Sequence, residues 1–244
     1  MPFFASLLTP VFMKLVWYSN PTKISLRFVI PTSIIIKMTD EELLSKLEKA
    51  IKTCRKCRLY KNATNAVPGH GNSKAKIAFV GEAPGYNEDQ QGLPFVGRAG
   101  KLLNSMLDMI KIQREDVWVG NIIKHRPPEN RDPMKDEVRL CSGFLEEQLK
   151  IIKPKIIVTL GRIALEYFVK EAKISKYHGF PISYKGRVFF PLYHPAAALR
   201  NGNIENILRE DFKNLPKVVK GEIAVVDLGK EYTKEKAEGQ ISFM

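Results

Sequence analysis

At 244 residues, with 44% apolar and 27% charged residues, the chain has enough apolar material for one domain with a full core and too little length for two comfortable ones. Its three cysteines, Cys54, Cys57 and Cys141, exclude a disulfide framework and point to a reducing compartment, the cytoplasm. The formal net charge of +13 suits a polyanionic partner such as DNA, RNA or an anionic membrane face, and a solvated lysine-rich surface would give the same number.

The first 37 residues contain Lys14, Lys23, Arg27 and Lys37 but no acid, and their apolar runs are broken by Lys, Pro and polar residues. None reaches the roughly 20 apolar residues of a spanning helix, and no positive residue precedes the first apolar stretch as in a signal peptide. At Met38 the composition changes to MTDEELLSKLEKAIKTC, where Thr39 or Asp40 can cap a helix with apolar residues at helical spacing. The native chain is therefore expected to begin at Met38, with residues 1–37 an extension outside the native protein.

From there short β-branched runs alternate with helical stretches. Strands are predicted over 76–80, 117–123, 155–160 and 187–193, nearly continuous in apolar residues as in strands buried on both faces. Helices are predicted over 98–111, 134–152, 161–171 and 203–215. The alternation implies an α/β protein, a three-layer α/β/α sandwich around a short, mostly parallel four-stranded sheet spanning residues 38–216. The Lys/Glu-rich stretch 217–244 is weakly patterned and reads as a loose tail.

Ligands of open α/β sheets bind beyond the carboxyl ends of the strands. After the first strand comes GEAPG (81–85), where Gly81 permits close backbone approach and Glu82 places a carboxylate at the rim; alone it could be a plain turn. GLPFVGRAG (92–100) carries Phe95, a ring that could stack on a base or simply anchor a loop. KHRPPENRDP (124–133) follows the second strand, with Asn121 near the strand end. HPAAALRNG (194–202) follows the fourth: His194 is held extended by Pro195, and Leu199 beside Arg200 has the make-up of a wedge that unstacks a duplex.

These blocks in this order, with a C-x-x-C before the first strand, resemble the family-four uracil-DNA glycosylases of thermophilic bacteria and archaea over about residues 40–215. The resemblance implies an enzyme of base excision repair that hydrolyses the N-glycosidic bond of uracil in DNA. It implies that Phe95 stacks on the everted base, that Asn121 reads its edge and that the backbone of Gly81 to Ala83 faces its O2 side. His194 would stabilise the departing uracil anion, and Glu82 would orient or activate water and offset positive charge on the sugar. Glu88, or alternatively Asp89, would exclude the methyl of thymine. Lys124, Arg126 and Arg131, with Leu199 and Arg200, would contact DNA. A monomer is expected, without a membrane partner; a sliding clamp is a candidate protein partner.

In the family four cysteines bind a 4Fe–4S cluster. Cys54 and Cys57 match the first pair and Cys141 the last ligand, but the position sixteen residues before Cys141 is His125. Three readings follow: a Cys₃His iron–sulfur cluster, favoured here; zinc on the same donors; and no metal. Two other functions compete with excision. A nucleic-acid-binding protein that has lost catalysis is opposed by the presence of Glu82, Phe95, Asn121 and His194 together. A redox or radical enzyme is opposed by the lack of a third cysteine near the pair and of a G-x-G-x-x-G nucleotide fingerprint.

Overall fold

A computed structural model describes residues 38–229; the expectations for 1–37 and for the end of the tail fall outside them. Helix α1 (Asp40–Lys52) starts in a capping box: Thr39 Oγ1 accepts from the Glu42 N–H at 3.2 Å, and the Glu42 carboxylate accepts from the Thr39 N–H at 2.8 Å. Of the two candidate caps, Thr39 is the one used.

The strands are β1 (His70–Gly71), β2 (Ile77–Gly81), β3 (Trp118–Asn121), β4 (Ile156–Leu160), β5 (Ile182–Tyr184), β6 (Arg187–Leu192) and β7 (Val226–Asp227). They form one sheet in the order β1-β3-β2-β4-β6-β5-β7. The four predicted strands are its parallel centre, β3-β2-β4-β6. The sheet has seven strands rather than four because β1 adds an antiparallel edge at β3, β5 pairs antiparallel to β6, and β7 pairs parallel to β5 at the other edge. These additions are two or three residues long, too short to carry a readable period.

Between the strands run α2 (Tyr86–Gln91), α3 (Arg98–Met109), α4 (Lys135–Ile152), α5 (Arg162–Phe168), α6 (Ile174–Tyr177), α7 (Pro195–Ala198) and α8 (Gly202–Lys220). Alternate residues of β2 face opposite layers. Ala78 and Val80 join Leu145 and Leu149 of α4 and Leu165 of α5 in one buried cluster. Ile77 and Phe79 join Leu103 and Met106 of α3 and Phe212 of α8 in the other. Phe79 and Phe212 stack with centroids 6.0 Å apart. Two apolar layers on one sheet make the three-layer sandwich, and each fully buried large side chain stabilises it by roughly 1.5–3 kcal/mol.

Helix α8 passes through Pro216 and ends at Gly221, whose φ of 76° suits a glycine C-cap. Chain beyond 217 thus continues the helix and reaches β7, and Leu228 is fully buried. Among the described residues no helix is long and apolar enough to cross a membrane.

Candidate active site

The carboxyl ends of β2, β3, β4 and β6 open on one cleft of about 590 Å³, lined among others by Glu82, Glu88, Phe95, Asn121, Arg162 and His194. Gly81 and Asn121 are paired in register, so the two strand ends lie side by side. A Cβ on Gly81 would sit 2.5 Å from Asn121 Oδ1 and 2.8 Å from Phe95 Cζ. Only glycine lets the carboxamide and the ring come so close to the strand. Asn121 is 1% exposed, and its Oδ1 is buried without a hydrogen-bond partner. Such an orphan acceptor carries a desolvation cost of about 1–3 kcal/mol until a donor arrives.

Phe95 adopts φ 55°, in the left-handed region that a bulky residue enters only under constraint. Two contacts impose it. Glu88 Oε1 accepts from the N–H groups of Val96 and Gly97, at 2.9 and 2.7 Å. Gly100, in the first turn of α3, leaves room for the Phe95 carbonyl, which a Cβ there would strike at 1.8 Å. Glu88 thus lines the cleft as a carboxylate held in place. Asp89 faces elsewhere: its Oδ1 accepts from the N–H groups of Thr64 and Asn65 and ties down that loop.

His194 is the N-cap of α7, and its Nδ1 accepts from the Ala196 N–H at 3.0 Å. The proton of the neutral ring is therefore on Nε2, which is left as a donor. Burial, reinforced by the charge of Arg200, pushes the imidazole pKa down to about 4, so the ring is neutral at physiological pH. Its centroid lies 6.0 Å from that of Phe95. Gly161, with φ 90°, passes directly behind it; a Cβ would lie 3.0 Å from His194 Cβ.

Glu82 follows β2 directly. Burial and the nearby Asp132 raise its carboxyl pKa to about 7, with Arg162 opposing. Arg162 and Asp132 form an ion pair at 3.1 Å. Gly161 and Arg162 lie outside the blocks picked out in the sequence, and Asp132, inside the block 124–133, carries no assigned role there. The rule that found the other blocks would have found the first two, since they directly follow the predicted strand 155–160.

At the rim, Leu199 is 36% exposed and Arg200 donates from Nε to the Ala196 carbonyl at 3.1 Å. Arg126 donates to Asn130 Oδ1 at 2.7 Å. Arg131 grips Glu137 through both guanidinium nitrogens, at 2.9 and 2.7 Å, leaving less of its charge for a phosphate. Lys124 corrects the expectation of a phosphate contact: it is completely buried. Its Nζ donates to the Asn121 carbonyl at 2.9 Å and to Gln148 Oε1 at 2.8 Å, and Gln148 in turn donates to the Pro68 carbonyl at 2.7 Å. Lys124 therefore braces the strand end that carries Asn121.

The cysteines lie apart from the cleft. None is in a disulfide, and Cys57 and Cys141 are buried. Each of these two thiols is pushed up chiefly by burial, Cys141 to about 11, and each feels the charge of Cys54. The Lys124 N–H donates to Cys141 Sγ at 3.2 Å. His125 shares a polar pocket wall with Cys54, and burial lowers its pKa, which leaves a nitrogen free to ligate. Buried thiols ionise only beside a cation, so the donor chemistry fits an iron–sulfur cluster or zinc. Among the described residues, however, no three His, Cys, Asp or Glu side chains are grouped as a ready metal site.

A family model described as the uracil DNA glycosylase superfamily matches residues 68–215. A type-4 uracil-DNA glycosylase of Sulfurisphaera tokodaii is 48% identical over 182 residues, 70% of this chain and 83% of that protein. Those of Saccharolobus solfataricus and Archaeoglobus fulgidus are 43% and 44% identical, covering 75% and 71% of this chain and 90% and 92% of their own lengths.

Proposed function

Since the chain belongs to the uracil DNA glycosylase superfamily, among its type-4 members, we propose that its cleft holds an everted uracil and that Phe95, Asn121, His194 and Glu82 divide the excision between them. The protein is a DNA glycosylase of base excision repair: it hydrolyses the bond between uracil N1 and the sugar C1′, leaving free uracil and an abasic site.

The observation that carries the assignment is the buried, unpartnered Asn121 Oδ1. Uracil N3–H is the donor it lacks, while the Asn121 amide N–H donates to uracil O4. Cytosine offers an acceptor at N3 and an amino group at C4, so both bonds fail. Mispaired buried polar groups of this kind discriminate by about 10⁴–10⁵-fold. Phe95 stacks on the base against the Gly81 floor, and the backbone from Gly81 to Ala83 meets the O2 side. Glu88, fixed by two backbone N–H groups, is a wall that cannot swing aside for a 5-methyl group.

As the glycosidic bond breaks, its electrons go to uracil and positive charge develops on the sugar. His194 Nε2–H donates to O2, where the negative charge gathers, as a neutral hydrogen-bond donor that stabilises the anion. Glu82, poised near neutrality, accepts a proton from the attacking water and as an anion faces the sugar cation. Leu199 and Arg200 wedge the duplex, and Arg126 and Arg131 meet phosphates.

Cys54, Cys57 and Cys141 with His125 are the residues that would hold a 4Fe–4S cluster, joining the segment after α1 to the loop before α4 and to α4 itself; zinc would take the same donors. The cluster's contribution when bound is structural. A reducing cytoplasm suits the three unpaired thiols.

A test is an oligonucleotide with one uracil, incubated with the protein and then treated with alkali. Scission at uracil and not at cytosine is expected; an intact strand, or equal scission at both, overturns the assignment. Asn121→Asp should relax discrimination toward cytosine or abolish excision, and unchanged uracil selectivity would remove Asn121 as the edge reader.

A further inference from the structure

Tyr86 takes no part in the chemistry above, yet it is among the most exposed large side chains of the described residues, at 58%. It opens α2, next to Gly85 of the cleft wall. The Arg126 guanidinium lies over its ring, 5.2 Å from the centroid. That guanidinium is held by Asn130 Oδ1 at 2.7 Å, and Asn130 also lines the cleft. Asn130 and Glu129 both stand at positive φ, 54° and 53°, so the turn that presents Asn130 to Arg126 is a constrained one. An exposed ring on a fixed cation, at the mouth of a cleft in a chain of net charge +13, is an arrangement that attracts a flat, polyanion-borne partner.

We propose that Tyr86, backed by Arg126, is a stacking platform for the base adjoining the everted uracil in single-stranded DNA. The inference rests on the glycosylase reading, because the strand must run past this rim when its uracil is in the cleft. Arg126 covers part of the ring and leaves the rest to solvent, where one purine or pyrimidine face can settle. The guanidinium edge not used by Asn130 meets the adjoining phosphate. Leu199 and Arg200 serve a duplex that must be opened; Tyr86 serves a strand whose bases are already unstacked, so the platform matters more for single-stranded than for double-stranded substrate.

The probe is a single-stranded oligonucleotide with a non-hydrolysable 2′-fluorinated deoxyuridine and a 2-aminopurine immediately 5′ or 3′ of it. The unaltered protein should quench the 2-aminopurine on one of these sides. Tyr86→Ala should relieve that quenching and weaken binding roughly five- to fifty-fold, with a smaller effect on the duplex and on the single-turnover excision rate of ordinary uracil DNA. Tyr86→Phe should retain both quenching and affinity. Quenching and binding by Tyr86→Ala equal to the parent would overturn the platform, as would a Phe variant as weak as the Ala one. If the unaltered protein excises uracil but Tyr86 proves indifferent, the platform alone falls. If the unaltered protein neither excises uracil nor binds the probe, the glycosylase reading falls and takes the platform with it.

Discussion

The cleft at the strand ends and the cysteine region lie at the two ends of the same short segment, Asn121–His125, and are built to opposite designs. In the cleft almost every group is already held: Glu88 by Val96 and Gly97, His194 by Ala196, Phe95 by the space Gly100 leaves. Asn121 Oδ1 stays buried without a partner, the acceptor we assign to uracil N3–H. In the cysteine region Cys57 and Cys141 are buried and raised in pKa, Cys54 is half-buried and His125 is lowered by burial, and among the described residues they are not grouped as a ready site. The first region is held in place by its own hydrogen bonds; the second leaves its donors dispersed among the described residues.

The largest expected effect separates the two regions cleanly. His194→Ala should lower the single-turnover excision rate by about 10²–10³-fold, as for loss of an oxyanion donor, with DNA binding nearly unchanged. Binding and rate falling together would deny His194 its transition-state role. On the other side, Cys141→Ala should lose bound iron, measured as iron and sulfide per chain, and should lower Tm. Each kcal/mol lost corresponds to roughly 2–4 °C in a chain of this size. Retained iron together with a normal Tm would break the contrast.

Lys124 is the sharpest test, because it touches both regions: its Nζ braces the Asn121 carbonyl while its N–H meets Cys141 Sγ. Lys124→Met should cost about 1–3 kcal/mol of stability by leaving Gln148 Oε1 and the Asn121 carbonyl unsatisfied. It should also reduce uracil-over-cytosine discrimination, measured as the ratio of kcat/KM values. Lost stability with intact discrimination would make Lys124 a support of the core alone.

The smallest effect is the pH dependence. The Glu82 carboxyl is raised to about 7, so its active anion is lost as pH falls through that value, while His194, lowered to about 4, stays neutral over the same range. kcat/KM should therefore fall about tenfold per pH unit below 7, and the limb should vanish in Glu82→Gln. A limb near the ordinary carboxylate value would mean that Glu82 is not the titrating base.

Much of this was legible in the chain. The central strands are largely apolar on both faces, so the ends of the first and fourth runs, before Glu82 and His194, mark the rim directly, whereas the second run extends to 123 and the strand ends at Asn121. The edge strands were not legible because two or three residues carry no period. Lys124 looked like a phosphate ligand because its neighbours in sequence are basic; its actual neighbours, Gln148 and the Asn121 carbonyl, come together only through packing. Glu88 and Asp89 are adjacent in sequence and equally acidic, yet one holds the Phe95 turn at the cleft and the other a separate loop, a difference of about one hundred degrees around a helix.

By itself the amino-acid order determined the strand–helix alternation, the blocks that meet at the carboxyl ends and the residue types available there, because these follow from local periodicity and from the direction of parallel strands. Only the tertiary structure decided the states of those residues: a neutral His194 with its proton on Nε2, a Glu82 near neutrality, an Asn121 with an unfilled acceptor, a Tyr86 laid open beside Arg126. Protonation and pairing are set by desolvation and by charges across space, and the chain brings those neighbours together from segments far apart in sequence.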